Sequence, residues 1–328
     1  MTFKNILCVS DLSIVSKNAE YAAMKLSALF GAKLTVLSCG EYYSHVPNNY
    51  FDESVIQPVS DISNNLNYSK HLDQKRKETI DYFNSLQKEL NIDLNSLISY
   101  EIKLENEVTA TLDLLDEVKL NFDLIVVGKQ NNSHWERFLF GSPAKEICDE
   151  TRIPTLFIPS GDEWKLWSPT GIVSCTSLTG KDENAELLGA HIATKFKSDL
   201  TIMHVIDEES QIFSGNLTHI FPIDYIPPQN TDLSINDLVF HTKKRIEEIS
   251  EDIKKVLPDQ EIKSQIDVGQ VSETVMNYLK SNPKNNLLII GSRGENALKR
   301  FFLGSNTDVL EEACQIPILI VFYPNISH

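Results

Sequence analysis

An internal repeat constrains the fold of this chain more than any other feature of its sequence. Residues 18–36 align with residues 184–202 at a constant offset of 166, and both segments open with Asn-Ala-Glu. Toward the end of each half the offset becomes 163, where Gly141-Ser142 aligns with Gly304-Ser305. Self-similarity at a nearly fixed spacing indicates duplicated structural units. The small change of offset places the length difference in a loop within the domain.

The chain length supports the same division. At 328 residues the chain exceeds the size at which a single hydrophobic core usually stops growing. We therefore predict two tandem domains, residues 1–160 and 168–328. The segment Ser160–Pro169 between them is mostly polar and contains Trp164 and Trp167, and we predict that it is the linker.

Each half contains five short apolar segments that alternate with amphipathic helical patterns. The apolar segments are rich in Ile, Val and Leu without regular polar alternation, which is typical of strands covered on both faces. Strands alternating with helices predict an α/β fold with a parallel sheet and right-handed crossovers. The predicted strands are Asn5–Ser10, Lys33–Ser38, Leu97–Lys103, Phe122–Gly128 and Pro154–Pro159, then Gly171–Thr176, Leu200–Ile206, Gln260–Asp267, Asn286–Gly291 and Ile316–Phe322.

The segments between the strands divide into helices and long loops. Ile246, Ile249, Ile253 and Val256 recur at helical spacing between charged residues, and we predict that this stripe faces a core. Two long stretches, Gly40–Tyr68 and Asp207–Asn230, show no clear periodicity. Each follows the second predicted strand of its half, at the edge where open α/β sheets bind ligands. Whether these loops bind a second ligand stays open.

The net charge and the cysteine content indicate which partners and which cell compartment to expect. The formal net charge of -16 and the pI near 4.9 would repel nucleic acid and anionic membrane surfaces, so we expect neither as a partner. No apolar run is long enough to span a bilayer, and the run Ile6–Val9 is too short for a signal-peptide core. Five scattered cysteines, without a C-x-x-C pair, indicate buried reduced thiols and a cytoplasmic protein. They are Cys8, Cys39, Cys148, Cys175 and Cys314.

The sharpest motif follows the fourth predicted strand of the second half. It reads Gly291-Ser-Arg-Gly294, then nine residues, then Gly304-Ser305. Gly291 and Gly294 allow a tight turn and close approach of the backbone to a ligand, while Gly304-Ser305 opens a helix whose free N–H groups favour an anion. Arg293 could pair with phosphate oxygens, although it could equally be a solvated surface charge. The motif therefore predicts a cradle for a triphosphate.

This motif, placed after an apolar strand and before a helix that ends in Ile-Pro and a last strand, resembles the nucleotide loop of the universal stress protein family. The resemblance covers nearly the whole chain, twice. It implies in each half a five-stranded parallel sheet of order 3-2-1-4-5, with helices on both faces, in a Rossmann-like fold similar to that of the adenine nucleotide α-hydrolases. It also implies adenine-nucleotide binding and a regulatory role in stress. Finally, it implies an intramolecular pseudo-dimer through the last strands, Thr155–Pro159 and Ile318–Phe322.

The two halves depart from the family pattern in complementary ways. In the first half Asn131 replaces the second glycine between Gly128 and Gly141-Ser142, and its side chain would crowd the phosphate path. At the first strand the order reverses, because Asp11 resembles the family's nucleoside-contacting aspartate and the repeat places Ser177 there in the second half. A serine can replace only part of the hydrogen bonding of a carboxylate to ribose. Asp11 could alternatively serve only as a carboxylate at a helix N-terminus.

We favour the second half as the nucleotide site. A lost charged hydrogen bond costs about 1.5–3 kcal/mol and weakens binding, whereas a side chain in the phosphate path blocks it. The expected ligand is ATP or a related adenine nucleotide, with or without Mg²⁺, and the expected role is regulatory binding rather than catalysis. One alternative is a structural or partner-binding protein without a nucleotide. Another is a slow ATP hydrolase or phosphotransferase, for which we identify no set of catalytic groups.

Histidines offer one further alternative. His204 ends a predicted strand, and we favour a role in capping or lining the nucleotide cleft over a zinc site formed with His219 and His241. The sequence leaves open the triggering stress, the protein partner and further dimerisation into a homodimer.

Overall fold

A computed structural model describes residues 3–40, 61–117, 121–129, 143–176, 178, 184–206, 234–292 and 315–322 of the chain. Ten strands and a set of helices alternate along these residues. The strands are β1 (Asn5–Ser10), β2 (Lys33–Cys39), β3 (Ile98–Lys103), β4 (Leu124–Lys129), β5 (Thr155–Pro159), β6 (Gly171–Cys175), β7 (Asp199–Ile206), β8 (Ile262–Val268), β9 (Asn285–Ser292) and β10 (Ile318–Phe322). The helices are α1 (Lys17–Phe30), α2 (Asp61–Leu90), α3 (Glu107–Glu117), α4 (Pro143–Thr151), α5 (Asn184–Phe196), α6 (Ile235–Val256) and α7 (Val271–Ser281).

The ten strands form one sheet in the order β3-β2-β1-β4-β5-β10-β9-β6-β7-β8. Within each half the strands are parallel and follow the order 3-2-1-4-5, which confirms the predicted fold. The halves meet where β5 pairs antiparallel with β10, with Leu156 opposite Leu319. The expected pairing of the last strands is therefore present within one chain.

Helices cover both faces of this sheet because its strands are apolar on both sides. In β1, Ile6 and Cys8 belong to one buried cluster while Leu7 and Val9 belong to the other. The first cluster includes side chains of α1, α2, α5 and α6, and the second includes side chains of α3, α4 and α7. Each cluster runs through both halves, so the halves share their cores across the β5–β10 junction.

The linker is packed rather than loose. Trp167, which the sequence places in a polar linker, is only 4% exposed, and its Nε1 donates to the carbonyl oxygen of Asn286 at 3.1 Å. The Asn18 amide donates to the carbonyl oxygens of Pro159 and Gly161, both at 2.8 Å. Lys25 Nζ donates to the carbonyl oxygen of Leu166 at 2.6 Å. The segment therefore connects α1 of the first half with β9 of the second.

Two sequence-based predictions are wrong in part. The aperiodic stretch Gly40–Tyr68 was predicted as a loop, but its last residues from Asp61 onward belong to α2, while residues 41–60 and the other stretch, Asp207–Asn230, lie outside the described residues. Val256 was predicted as a core residue, but its side chain is 59% exposed at the end of α6, whereas Ile246, Ile249 and Ile253 are buried as predicted. Among the described residues, no helix is long and apolar enough to span a membrane.

Candidate functional site

Three of the predicted site residues lie in the described part of the chain, all at the carboxyl edge of the sheet. Asp11 follows β1, Gly128 lies near the end of β4, and Gly291 lies near the end of β9. Strands β1 and β4 are neighbours in the sheet, as are β6 and β9. In each pair the next strand along the chain lies on the outer side, so the chain continues from the two strands in opposite directions along the sheet. This is the switch point at which open α/β sheets bind ligands. The other predicted site residues, Arg293, Gly294, Gly304, Ser305, Ser177, Gly141 and Ser142, lie outside the described residues.

Asp11 organises the turn between β1 and α1. Its Oδ1 accepts hydrogen bonds from the Ser13 amide at 2.9 Å and from the Ser16 hydroxyl at 2.6 Å. Burial would raise the pKa of Asp11, but these hydrogen bonds outweigh it and lower the pKa below its ordinary value. The carboxylate is therefore ionised near neutral pH, and it holds the turn in addition to any contact with a ligand.

A leucine with the same backbone hydrogen bond follows the first strand of the second half, at the repeat offset of 166. Leu12 has a φ of 62° and Leu178 a φ of 57°, a left-handed conformation that costs a leucine energy. In each turn this leucine donates its amide to a hydroxyl two residues earlier, Ser10 at 2.9 Å and Thr176 at 3.1 Å. Equivalent strained turns in both halves indicate that the duplicated unit preserves the shape of this edge.

Gly128 is required by packing within the first half. A Cβ at this position would lie 2.4 Å from the carbonyl oxygen of Val15 and 2.9 Å from Cα of Ser16. The backbone of β4 therefore touches the turn that carries Asp11. Gly128 therefore packs against the protein's own backbone, and the role of this glycine in binding a ligand stays a prediction. In the same half, helix α4 begins at Pro143, directly after Gly141-Ser142, as the motif predicts.

Carboxylates distinguish the two halves at this edge. Burial raises the pKa of Cys39, at the end of β2, to about 12, with smaller contributions from the negative charges of Glu107, Asp11 and Glu105. Lys75 acts in the opposite direction. These three acidic residues therefore lie close enough to the end of β2 for their negative charges to act on one thiol.

The second half has no carboxylate at the three corresponding positions. Strand β3 aligns with β8 and helix α3 with α7 at an offset of 164, which matches Glu105 with Gly269 and Glu107 with Val271. The helix caps confirm this alignment, because Asn106 caps α3 through the Thr109 amide and Gln270 caps α7 through the Glu273 amide. With Ser177 in place of Asp11, these three positions of the second half carry no negative charge.

A buried carboxyl group lies beneath the turn in the first half. Glu20 on α1 accepts hydrogen bonds from the Ser10 hydroxyl at 2.5 Å and from the Tyr82 hydroxyl at 2.6 Å. Sequence reasoning did not assign it a role. The repeated Asn-Ala-Glu could have revealed this residue. It places an acidic side chain among the apolar residues of α1, and the repeat places Glu186 at the same position of α5.

His204 lies under the corresponding edge of the second half. It is buried on β7, and its Nδ1 is 2.8 Å from the carbonyl oxygen of Thr176. The role of His204 in capping or lining the nucleotide cleft stays a prediction. His241 lies on α6, while His219 falls outside the described residues; within the described ranges, no group of three or more His, Cys, Asp or Glu residues could hold a metal ion. Cys8, Cys39, Cys148 and Cys175 are free thiols, and Cys314 lies outside the described residues.

Comparisons with known proteins identify relatives of both halves. The sequence profile of the universal stress protein family matches residues 2–159 and again residues 172–321. The universal stress protein YxiE of Bacillus subtilis strain 168 is 28% identical over 149 residues, which cover 44% of this chain and 95% of that protein.

Two solved structures are similar over almost the whole chain. A universal stress protein from Archaeoglobus fulgidus DSM 4304 superposes with a TM-score of 0.58 at 12% identity, covering 99% of this chain and 98% of that one. The functionally unknown protein PA1789 from Pseudomonas aeruginosa PAO1 superposes with a TM-score of 0.51 at 14% identity, covering 98% of this chain and 92% of that one. At these identities the likeness concerns the fold.

Proposed function

The chain belongs to the universal stress protein family, and from this membership we propose that its second half binds ATP or a related adenine nucleotide as a regulatory ligand. The nucleotide would bind at the carboxyl ends of β6 and β9, where Gly291 ends an apolar strand. The phosphates would be held by Gly291, Arg293, Gly294, Gly304 and Ser305. Ser177 would make the remaining contact with the ribose.

The observation that carries this proposal is the difference in charge between the two edges. Asp11, Glu105 and Glu107 act together on the Cys39 thiol in the first half, and their counterparts in the second half are uncharged. Two unit charges about 8 Å apart interact by about 0.5 kcal/mol even at the dielectric of water. Three carboxylates at about this distance from a polyphosphate would weaken its binding by up to about tenfold at low ionic strength. At these three positions the second half does not contribute such repulsion.

The glycine loop supports the same assignment. The second half keeps both glycines of the Gly-x-x-Gly turn, whereas the first half has Asn131 at the second position. In the first half, moreover, the space around Gly128 is taken by the backbone of Val15 and Ser16. The first half would then serve mainly as the structural partner of the second.

We propose binding without rapid turnover, so that occupancy alters conformation or the choice of a protein partner. Mg²⁺ bound together with the triphosphate would neutralise part of its charge. Nothing in the proposed site assigns a residue to proton transfer or to positioning a water molecule.

Titration calorimetry with ATP and Mg²⁺ on the full-length protein tests the proposal. We expect micromolar binding to the unaltered chain, loss of binding in Gly294→Asn, and little change in Asn131→Gly, which is the matched control in the first half. AMP should bind more weakly than ATP if the loop holds phosphates. A coupled assay for phosphate release should show no hydrolysis above background.

Two results would contradict the assignment. Binding that survives Gly294→Asn but disappears in Asp11→Ser would place the nucleotide in the first half. Absence of binding to every variant would favour the alternative of a structural or partner-binding protein.

A further inference from the structure

The carboxyl group of Glu20 is enclosed by the first half. The residue has 0% of its surface exposed. Its two oxygens accept one hydrogen bond each from neutral hydroxyl groups, Ser10 on β1 at 2.5 Å and Tyr82 on α2 at 2.6 Å. Hydroxyl donors compensate a buried charge only partly, because they carry no charge of their own. A carboxylate in this place is therefore costly compared with a protonated carboxyl group.

We propose that Glu20 is a proton-responsive positioning residue, whose protonation weakens the hydrogen bonds that hold the β1–α1 turn. The inference concerns the first half alone and does not depend on nucleotide binding.

The Ser10 hydroxyl couples Glu20 to the turn. It donates its single hydrogen to Glu20 and accepts a hydrogen bond from the Leu12 amide at 2.9 Å. When Glu20 becomes protonated, Ser10 loses a charged acceptor, and hydrogen bonds to charged groups are roughly twice as strong as neutral ones. The added proton must also be donated to Ser10 or Tyr82, which reverses one of the two bonds. The amide of Leu12, held at a positive φ, is next to this change.

The charged groups around Glu20 fit a proton-responsive site. Burial is the main cause that raises the pKa of Glu20 to about 7, while the hydrogen bonds from Ser10 and Tyr82 oppose it. The negative charge of Asp11 on the turn also raises the pKa, and Lys17 on α1 lowers it. Burial and the nearby Glu20 raise the pKa of Tyr82, so that tyrosine stays neutral.

The other neighbours of Glu20 do not neutralise it. On β1, burial and Glu20 together keep the Cys8 thiol protonated. On α1, Tyr21 is neutral and donates to Glu89 at 2.7 Å. Lys17, whose Nζ lies over the Tyr21 ring at 5.6 Å from its centroid, lowers the pKa of Glu20, but burial outweighs it.

The second half differs at the position of Tyr82. Helices α2 and α6 align at an offset of 163, which matches the buried Phe83 with the buried Ile246 and Tyr82 with Arg245. Arg245 is 3% exposed and its Nη1 pairs with Glu248 Oε2 at 2.8 Å, so the second half has an ion pair where the first half has a neutral hydroxyl group. Because the second half has no tyrosine at this position, we expect the arrangement that holds Glu20, and its response near neutral pH, in the first half only.

Nuclear magnetic resonance of the full-length protein tests the proposal. Glutamate labelled with ¹³C at the carboxyl carbon, together with ¹⁵N in the backbone, reports protonation and the state of the turn in one titration. We expect one glutamate carboxyl resonance with a midpoint above about pH 6, outside the range of ordinary glutamates, and a shift of the Leu12 amide with the same midpoint. Both titrations should disappear in Glu20→Gln and stay unchanged in Glu78→Gln, an exposed control on α2.

A second variant keeps the test decisive if Glu20→Gln fails to fold. Tyr82→Phe removes one of the two donors to the carboxylate, so the midpoint of the Glu20 resonance should move to higher pH. The proposal is overturned if every glutamate titrates below about pH 5.5, if the Leu12 amide does not follow the carboxyl resonance, or if Tyr82→Phe lowers the midpoint.

Discussion

The substitution Glu20→Gln should change how the stability of this protein depends on pH. Glutamine keeps the shape of the side chain and can accept the hydrogen bond from Ser10, but it cannot ionise. The pKa of Glu20 rises from its ordinary value of 4.5 to about 7 on folding, chiefly because of burial. The native state therefore prefers the protonated form.

The sign and size of the effect follow from proton linkage. Between pH 4.5 and about 7 the unfolded chain has lost the Glu20 proton while the native protein retains it, so stability falls as pH rises. The stabilising contribution is complete below pH 4.5 and is lost as the pH passes the folded pKa of about 7. At 1.36 kcal/mol for each pKa unit, the full change is about 3 kcal/mol.

Urea unfolding at a series of pH values measures this effect. The free energy of unfolding of Glu20→Gln, minus that of the unaltered protein, should increase by about 3 kcal/mol between pH 4.5 and pH 8. The exposed control Glu78→Gln should show a flat difference over the same range. A difference for Glu20→Gln that stays constant within about 0.5 kcal/mol would refute the reasoning, because it would show that Glu20 has the same pKa in both states.

Two further substitutions test the packing on which the site rests. Trp167→Ala should lower the free energy of unfolding by about 3–5 kcal/mol in a urea titration, since it removes a buried indole and its hydrogen bond to Asn286; a loss below about 1 kcal/mol would mean that the linker packs without it. Gly128→Ala should cost about 1–3 kcal/mol, because the added methyl group meets the Val15 carbonyl oxygen at 2.4 Å. Gly31→Ala is the control: its added methyl group meets open space at a φ of 64°, and it should cost about 1 kcal/mol. A larger loss of stability in Gly31→Ala than in Gly128→Ala would contradict the close approach at Gly128.

The strands were predictable because a strand buried on both faces leaves a continuous apolar run in the sequence. All ten predicted strands are present, with boundaries displaced by a few residues, as at β8, which begins at Ile262 rather than Gln260. The repeat then allowed each half to support the interpretation of the other. Strand order within a half followed from the family resemblance rather than from the residues.

The parts that sequence reasoning missed are set by contacts that local pattern does not record. The first turns of α2 are rich in Asn and Ser, which have modest helix propensity, so the segment from Asp61 resembled a loop. Val256 continues a helical stripe, but periodicity does not show where a helix extends past the core that it covers. Trp167 is apolar within a polar linker, and only the tertiary contact with Asn286 shows that it is buried.

The candidate site was predictable from its glycines but not from its charges. Gly128 and Gly291 were found by spacing, and both lie at the predicted edge of the sheet. Glu105 and Glu107 were not singled out, because abundant acidic residues in an acidic chain carry no signal until the fold places them near one thiol. Their comparison with Gly269 and Val271 required the alignment of β3 with β8, where the repeat has little sequence identity.

The differences between the two halves are easier to explain by a division of roles than by independent loss of function. Loss of a nucleotide site requires only a blocked loop, which is the effect we predict for Asn131, and it would not by itself select negative charges at neighbouring positions. In the first half, however, Asp11, Glu105 and Glu107 place negative charge around the edge of the sheet, and Asp11 also raises the pKa of the buried Glu20 beneath it. Asp11, one of the charges that would repel a polyphosphate, thus also favours proton uptake by Glu20. Because the two halves share both buried clusters, a change in the β1–α1 turn has a packed route to the second half.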